Sequence, residues 1–118
     1  LANRVFTALK LGKVKEARDS LREAILLTQI VETRYILPHV IMGIARLYLY
    51  NGKVEACVEL LGFLLEMPDL DSDFMSLRFQ PIYAEVSEAL ASDVLEAALA
   101  RGRVFKQDTI MRDALNEV

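Results

Sequence analysis

The stretch Gly12-Lys13-Val14-Lys15-Glu16-Ala17 returns about 40 residues later as Gly52-Lys53-Val54-Glu55-Ala56-Cys57. Each copy lies between two stretches whose apolar residues recur at helical spacing. A self-similar helix–turn–helix unit at this period is the mark of an α-solenoid, in which one helix pair buries its apolar face against the next. Solenoids act by presenting stacked helices to a partner, so the repeat points to binding rather than catalysis.

Outward from these turns the pattern is helical throughout. Residues 1 to about 11 carry Leu1, Val5, Ala8 and Leu9 on one stripe, and Gly12 ends the helix, as glycine commonly does just past a helix C-terminus. A second helix spans 14 to about 31, with Ala17, Leu21, Ala24, Leu27 and Val31 at steps of three and four. Thr33 offers a capping hydroxyl for a third helix. That helix runs from Arg34 or Leu37 to Tyr50, with Pro38 in its first turns, where a missing N–H costs little. Asn51-Gly52 is a turn signal. A fourth helix covers about 54–66, and Pro68 follows it. Ser72 or Asp73 caps a fifth helix to about Leu90, which Pro81 should kink or split. Ser92 or Asp93 caps a sixth helix to about Arg101, stopped by Gly102; residues 107 to about 116 make the last. No strand pattern competes, so the predicted fold is all-α: repeat one at about 1–31, repeat two at about 34–67 and a C-terminal helical cap at about 72–117, in a single domain.

Bulk properties narrow the function. The chain has 118 residues, enough to bury one core, and a formal net charge of −3, which argues against a nucleic-acid surface. Lys10, Lys13, Lys15, Arg18 and Arg22 cluster, but Glu16, Asp19 and Glu23 interleave them, which makes a solvated helix face rather than a phosphate track. The single cysteine, Cys57, rules out an intramolecular disulfide and fits a reducing, cytoplasmic setting. The most apolar stretch, Tyr35 to Tyr50, is too short and too interrupted to cross a bilayer. The 53% hydrophobic content is high, and the chain starts inside a helical pattern without methionine or cap. Both features suggest a piece of a longer protein, or a surface covered by a partner or a second copy.

The repeat resembles the tetratricopeptide repeat (TPR). Its turn glycines match Gly12 and Gly52. Its small–large–small trio on the second helix matches Ala17, Leu21, Ala24 and then Cys57, Leu61, Leu64; its first-helix positions match Leu1, Val5, Ala8 and then Ile41, Ala45, Tyr48. Small residues let two helices approach and large ones fill the groove between them. Arg4 stands where the family has leucine, Leu64 where it has a small residue, and the period exceeds the usual 34 residues. Leu60-Leu61-Gly62, the Met67-Pro68 junction and Leu95-Glu96-Ala97-Ala98-Leu99-Ala100-Arg101-Gly102-Arg103 look like the tail of large bacterial signalling or transcription regulators with an NTPase-type core and a C-terminal TPR region. The resemblance implies that residues after 72 cap the repeats rather than continue them.

No motif supports catalysis. Asp69-x-Asp71-x-Asp73 opens like a calcium loop, but Phe74 and Gln80 stand where that loop needs glycine and glutamate, so the acids read as caps. His39 is the only histidine, which leaves no zinc site, and Cys57 occupies a small core position and reads as an inert thiol. Met42, Met67, Met75 and Met111 fall at apolar helical positions and read as core. Phosphate-binding glycine loops are absent, so no cofactor is expected. One stripe carries a functional expectation. The TPR resemblance places the first helix of each pair on a concave surface, with Ala2, Phe6 and Lys10 from the first helix and His39, Met42, Arg46 and Tyr50 from the third. The last four recur at i, i+3, i+7 and i+11 and share a face of mixed apolar and basic character, suited to a peptide or helix bearing a carboxylate. The expected role is a non-catalytic protein-interaction or sensor module that binds a protein, a peptide or other domains of its parent chain, without membrane contact. The alternatives are a self-association module, homodimeric through its stacked helices, and an enzyme fragment.

Overall fold

The computed structural model describes residues 2–30, 36–68 and 70–118, the side chains of 2–4, 6, 29 and 30 excepted. Helices α1 (Ala2–Lys10) and α2 (Val14–Ile30) form one hairpin; α3 (Leu37–Tyr50) and α4 (Val54–Leu65) form the next. Both hairpins turn through a left-handed glycine, Gly12 at φ 74° and Gly52 at φ 81°. Their hydrogen bonds repeat residue for residue. Gly12 N–H donates to the Leu9 carbonyl and Lys13 N–H to Ala8, at 3.1 and 2.8 Å; Gly52 donates to Leu49 and Lys53 to Tyr48, at 3.0 and 2.8 Å. This is the double bond of the Schellman turn, which needs a residue tolerant of positive φ.

The echo extends into the core. Ala17 and Cys57, Leu21 and Leu61, and Ala24 and Leu64 are all buried. The buried stripe of α2 adds Ser20 and Ile25, so Leu27, expected inside, turns outward and is 38% exposed. Thr33 and Val31 lie outside the described residues. Pro38 sits in the first turn of α3 as expected. α1 lies beside both α2 and α3. Where α3 meets the first hairpin it carries Gly43, where a methyl would stand 3.3 Å from Leu21 Cδ1 and 3.7 Å from Val5 Cγ1.

A third rod follows the loop after α4. It consists of α5 (Ser72–Phe74), a π-helical turn (Met75–Phe79) and α6 (Gln80–Ala89), which run on without a break. Proline lacks an N–H and its ring crowds the carbonyl four residues back. Here the backbone meets Pro81 by widening the turn ahead of it, and Gln80 N–H reaches the Met75 carbonyl five residues back. The rod is capped by Asp71, one of the acids read as caps, whose Oδ1 accepts the Phe74 N–H at 2.7 Å; Ser72 and Asp73 do not fill that place.

Helices α7 (Ser92–Arg103) and α8 (Gln107–Glu117) complete the chain. Neither Ser92 nor Asp93 caps α7; its N-cap is Ala91, without a side-chain bond. Gly102 does not stop the helix. It lies inside it, buried, because α7 crosses α4 at van der Waals limits there. A Cβ built on Gly102 would fall 1.6 Å from the Glu59 carbonyl oxygen, and one on Gly62 would fall 2.2 Å from that of Leu99. Gly62 opposite Leu99 and Gly102 opposite Glu59 fix the two helices as antiparallel. Arg101 flanks the crossing, with Nε 2.6 Å from Glu59 and Nη2 3.1 Å from Glu55.

α8 returns to α2 and to the turn between α3 and α4. Glu117 accepts from Lys53 Nζ at 2.6 Å and Asn51 Nδ2 at 2.9 Å, and Arg22 donates to the Val118 carbonyl. The radius of gyration, 13.2 Å, matches the roughly 13–14 Å of a globule this long. Counting the rod as one, the described residues form seven helices and no strand, packed as a compact all-α globule. Two stacked hairpins are present. An open-ended superhelix is not shown, since α8 folds back instead of leading onward.

Candidate functional site

The stripe singled out on α3 runs along the joint between that helix and the third rod. His39 is half-buried, and its ring meets Phe74 edge to face, with centroids 5.2 Å apart and planes at 87°. Phe74 is buried, as are Phe79, Ile82 and Val86 further along the rod. Met42 is buried at 4% exposure and belongs to the core, so it is not offered to a partner. Arg46 is half-buried among charges of the rod. Tyr50, at the end of α3, is 52% exposed. On α1, Lys10 is exposed, whereas the side chains of Phe6 and Ala2 lie outside the described residues.

At the start of α3 the stripe is therefore met by the chain's own Phe74, and Met42 is buried in the core. The physical reason is composition. The rod carries its own apolar face, which packs chiefly toward α4 and α7, with Phe74 reaching His39 of α3. Lys10 and Tyr50 are the exposed members of the stripe among those whose side chains are described.

The electrostatics of the joint follow from burial. Desolvation depresses the His39 pKa, the positive charge of Arg78 depresses it further, and Asp71 opposes both. The Arg46 guanidinium is also held below its ordinary range by burial, with Glu85 acting the other way. Two thiol- and phenol-bearing positions behave as core. Burial pushes the Cys57 thiol up to about 12 and the Tyr48 hydroxyl up to about 12. A thiol so far above neutral pH is almost wholly protonated and a poor nucleophile.

A surface depression lies elsewhere, over the α1–α2 turn, lined by Lys13, Lys15, Glu16, Asp19 and Glu23 among others. Charges of both signs line it, as the sequence indicated for this face. Among the described residues no group of three or more His, Cys, Asp or Glu side chains could hold a metal ion. No helix among them is long and apolar enough to cross a membrane.

Sequence reasoning missed the α4–α7 crossing, where the two backbones meet at Gly62 and Gly102. The signal was present as Gly62 on α4 and as the small residues Ala98 and Gly102, four apart, on α7. No family model matches the chain, nor does any curated protein or solved structure.

Proposed function

We propose that this chain is a non-catalytic protein-interaction or sensor module built on TPR-like repeats, the C-terminal region of a larger bacterial regulator with an NTPase-type core, at work in the cytoplasm. One observation carries the reading. The two helical hairpins are closed by the same pair of turn bonds and bury matching positions 40 residues apart, which supports reading them as repeats. Repeated helix pairs supply broad surfaces for partners rather than enclosed pockets for small substrates. Cys57, the one nucleophilic thiol, is buried and protonated, which agrees with a binding role.

Lys10 and Tyr50 are the exposed members of the stripe, and they would make first contact with an acidic peptide or helix. Calorimetric titration of the folded chain against a panel of acidic amphipathic peptides tests this. Saturable binding by a subset of the panel, weakened by Lys10→Glu and by Tyr50→Ala, is expected. Heat signals that stay at the dilution baseline for every peptide would refute it. A second reading, self-association, draws on Leu11, Leu26, Leu27, Ile36, Leu77 and Val104, large apolar side chains between 38% and 80% exposed. Sedimentation equilibrium separates the two: a dimer at micromolar concentration supports self-association, and a monomer leaves the peptide reading alone.

A further inference from the structure

The joint between α3 and the third rod holds the chain's single histidine. Three features make that position consequential. First, His39 packs against Phe74, the first buried residue of the rod. Second, the turn carrying Phe74 depends on one side-chain cap, the Asp71 carboxylate on the Phe74 N–H at 2.7 Å. Third, the rod is a weak helix by itself, since it opens with three α-helical residues, passes through a π turn and meets Pro81 in the first turn of α6. Its contacts with its neighbours, α4 and α7 along α6 and His39 of α3 at Phe74, therefore matter more than its own propensity.

We propose that His39 is a proton-operated latch: its neutral ring seats the first turn of the rod on α3, and its protonation releases that turn and uncovers the α3 face beneath. The charges around it set the direction. From the loop that caps the rod comes Asp71 and from the π turn Arg78, which also acts on Arg46 further along α3, where Glu85 of α6 opposes it. Glu32 and Arg34, upstream of α3, lie outside the described residues. An imidazolium at this place is partly desolvated and repelled by Arg78. It also attracts the Asp71 carboxylate, which is already engaged in capping Phe74. Each route loosens the same turn. Burial depresses the His39 pKa, so the neutral, latched form prevails at pH 7 and the released form gains as pH falls below the range of an ordinary histidine. The latch is a property of the joint and does not depend on the interaction-module reading.

The test is a pH titration of the whole chain between pH 8 and 5, followed by nuclear magnetic resonance. The Cε1 proton of His39 is the only one of its kind and reports its midpoint directly. Protection of the Phe74 amide, corrected for the intrinsic pH dependence of exchange, reports the latch. The expected result is a His39 midpoint below that of an unstructured histidine, with Phe74 protection lost across the same midpoint. In His39→Gln the protection should hold to pH 5. Asp71→Asn, which keeps a capping oxygen but removes the charge, should move the His39 midpoint further down. A His39 midpoint at or above the unstructured value overturns the proposal, as does Phe74 protection that is flat across the titration or falls equally in His39→Gln. Unchanged near-ultraviolet dichroism at pH 8 establishes that each variant is folded. A His39→Gln that is unfolded at pH 8 passes the decision to Asp71→Asn, where an unmoved midpoint counts against the latch.

Discussion

Replacing Gly102 with alanine sets two effects of opposite sign against each other. In a helix interior alanine is favoured over glycine by up to about 1 kcal/mol, so propensity alone predicts stabilisation. Packing predicts the reverse. The added methyl would lie 1.6 Å from the Glu59 carbonyl oxygen and 2.8 Å from the Glu59 Cα, with α4 backbone and no yielding side chain in front of it. Ordinary contact needs more than 3 Å, so α7 would have to retreat from α4 by well over 1 Å. That retreat disturbs the packing of Leu95, Ala98 and Leu99, all buried. Overpacking in a close-packed core costs about 1–3 kcal/mol where side chains can adjust. With backbone as the obstacle, about 3 kcal/mol net destabilisation is expected. Unfolding entropy of about 2.1 cal/mol/K per residue converts this to a fall in Tm of roughly 12 °C for a chain of this length. Urea denaturation followed by circular dichroism measures it directly. A variant as stable as the parent, or more stable by the propensity increment, would show that the two helices do not meet backbone to backbone and would refute the reasoning.

Gly52→Ala tests backbone conformation without crowding, because nothing lies within 4 Å of its Cβ position. The left-handed φ should make it cost about 1–2 kcal/mol in the same urea assay, and Gly52→Asn less. Cys57 should resist an aromatic disulfide reagent at pH 8 and react only as fast as the chain unfolds, so a rate matching that of a small-molecule thiol would contradict its burial. Glu117 has a depressed pKa because Lys53 and Asn51 donate to its charged form. Its contribution is thus present above the unfolded carboxylate value and lost as pH falls through the lower folded one, and Lys53→Met should flatten that acid limb of a stability–pH curve. Arg46→Glu brings a carboxylate toward Glu85 in a half-buried joint, and should destabilise by more than the roughly 0.5 kcal/mol typical of open surface.

Local rules made the helices legible. Glycine after a periodic run marked both turns, Pro38 marked an entry, and the small residues Ala17, Ala24 and Cys57 read correctly as buried. Chain-distant choices did not show. Periodicity placed His39, Met42 and Arg46 on one face of α3, and it could not say that Phe74, more than 30 residues onward, would pack against His39. Gly102 carries the same ambiguity. A glycine near the end of a helical pattern is as consistent with a stop as with a close crossing, and only the position of Glu59 decides. Caps failed for a related reason, since Asp71, Ser72 and Asp73 stand side by side and each could have served.

The π turn ahead of Pro81 also sets rotational phase. The buried residues of the rod, Phe74, Phe79, Ile82 and Val86, are spaced by five, three and four. A step of five in an ordinary α-helix turns a side chain about 140° away from its predecessor, at roughly 100° per residue. A wider turn absorbs the extra residue and brings Phe74 back into line with the three that follow. The proline thus works as a gear offset: it holds in place a one-residue insertion that would otherwise point Phe74 into water. Substituting Pro81 alone would let the rod relax to a regular helix and swing Phe74 off α3. Deleting one residue from 75–78 in the same variant would rotate it back.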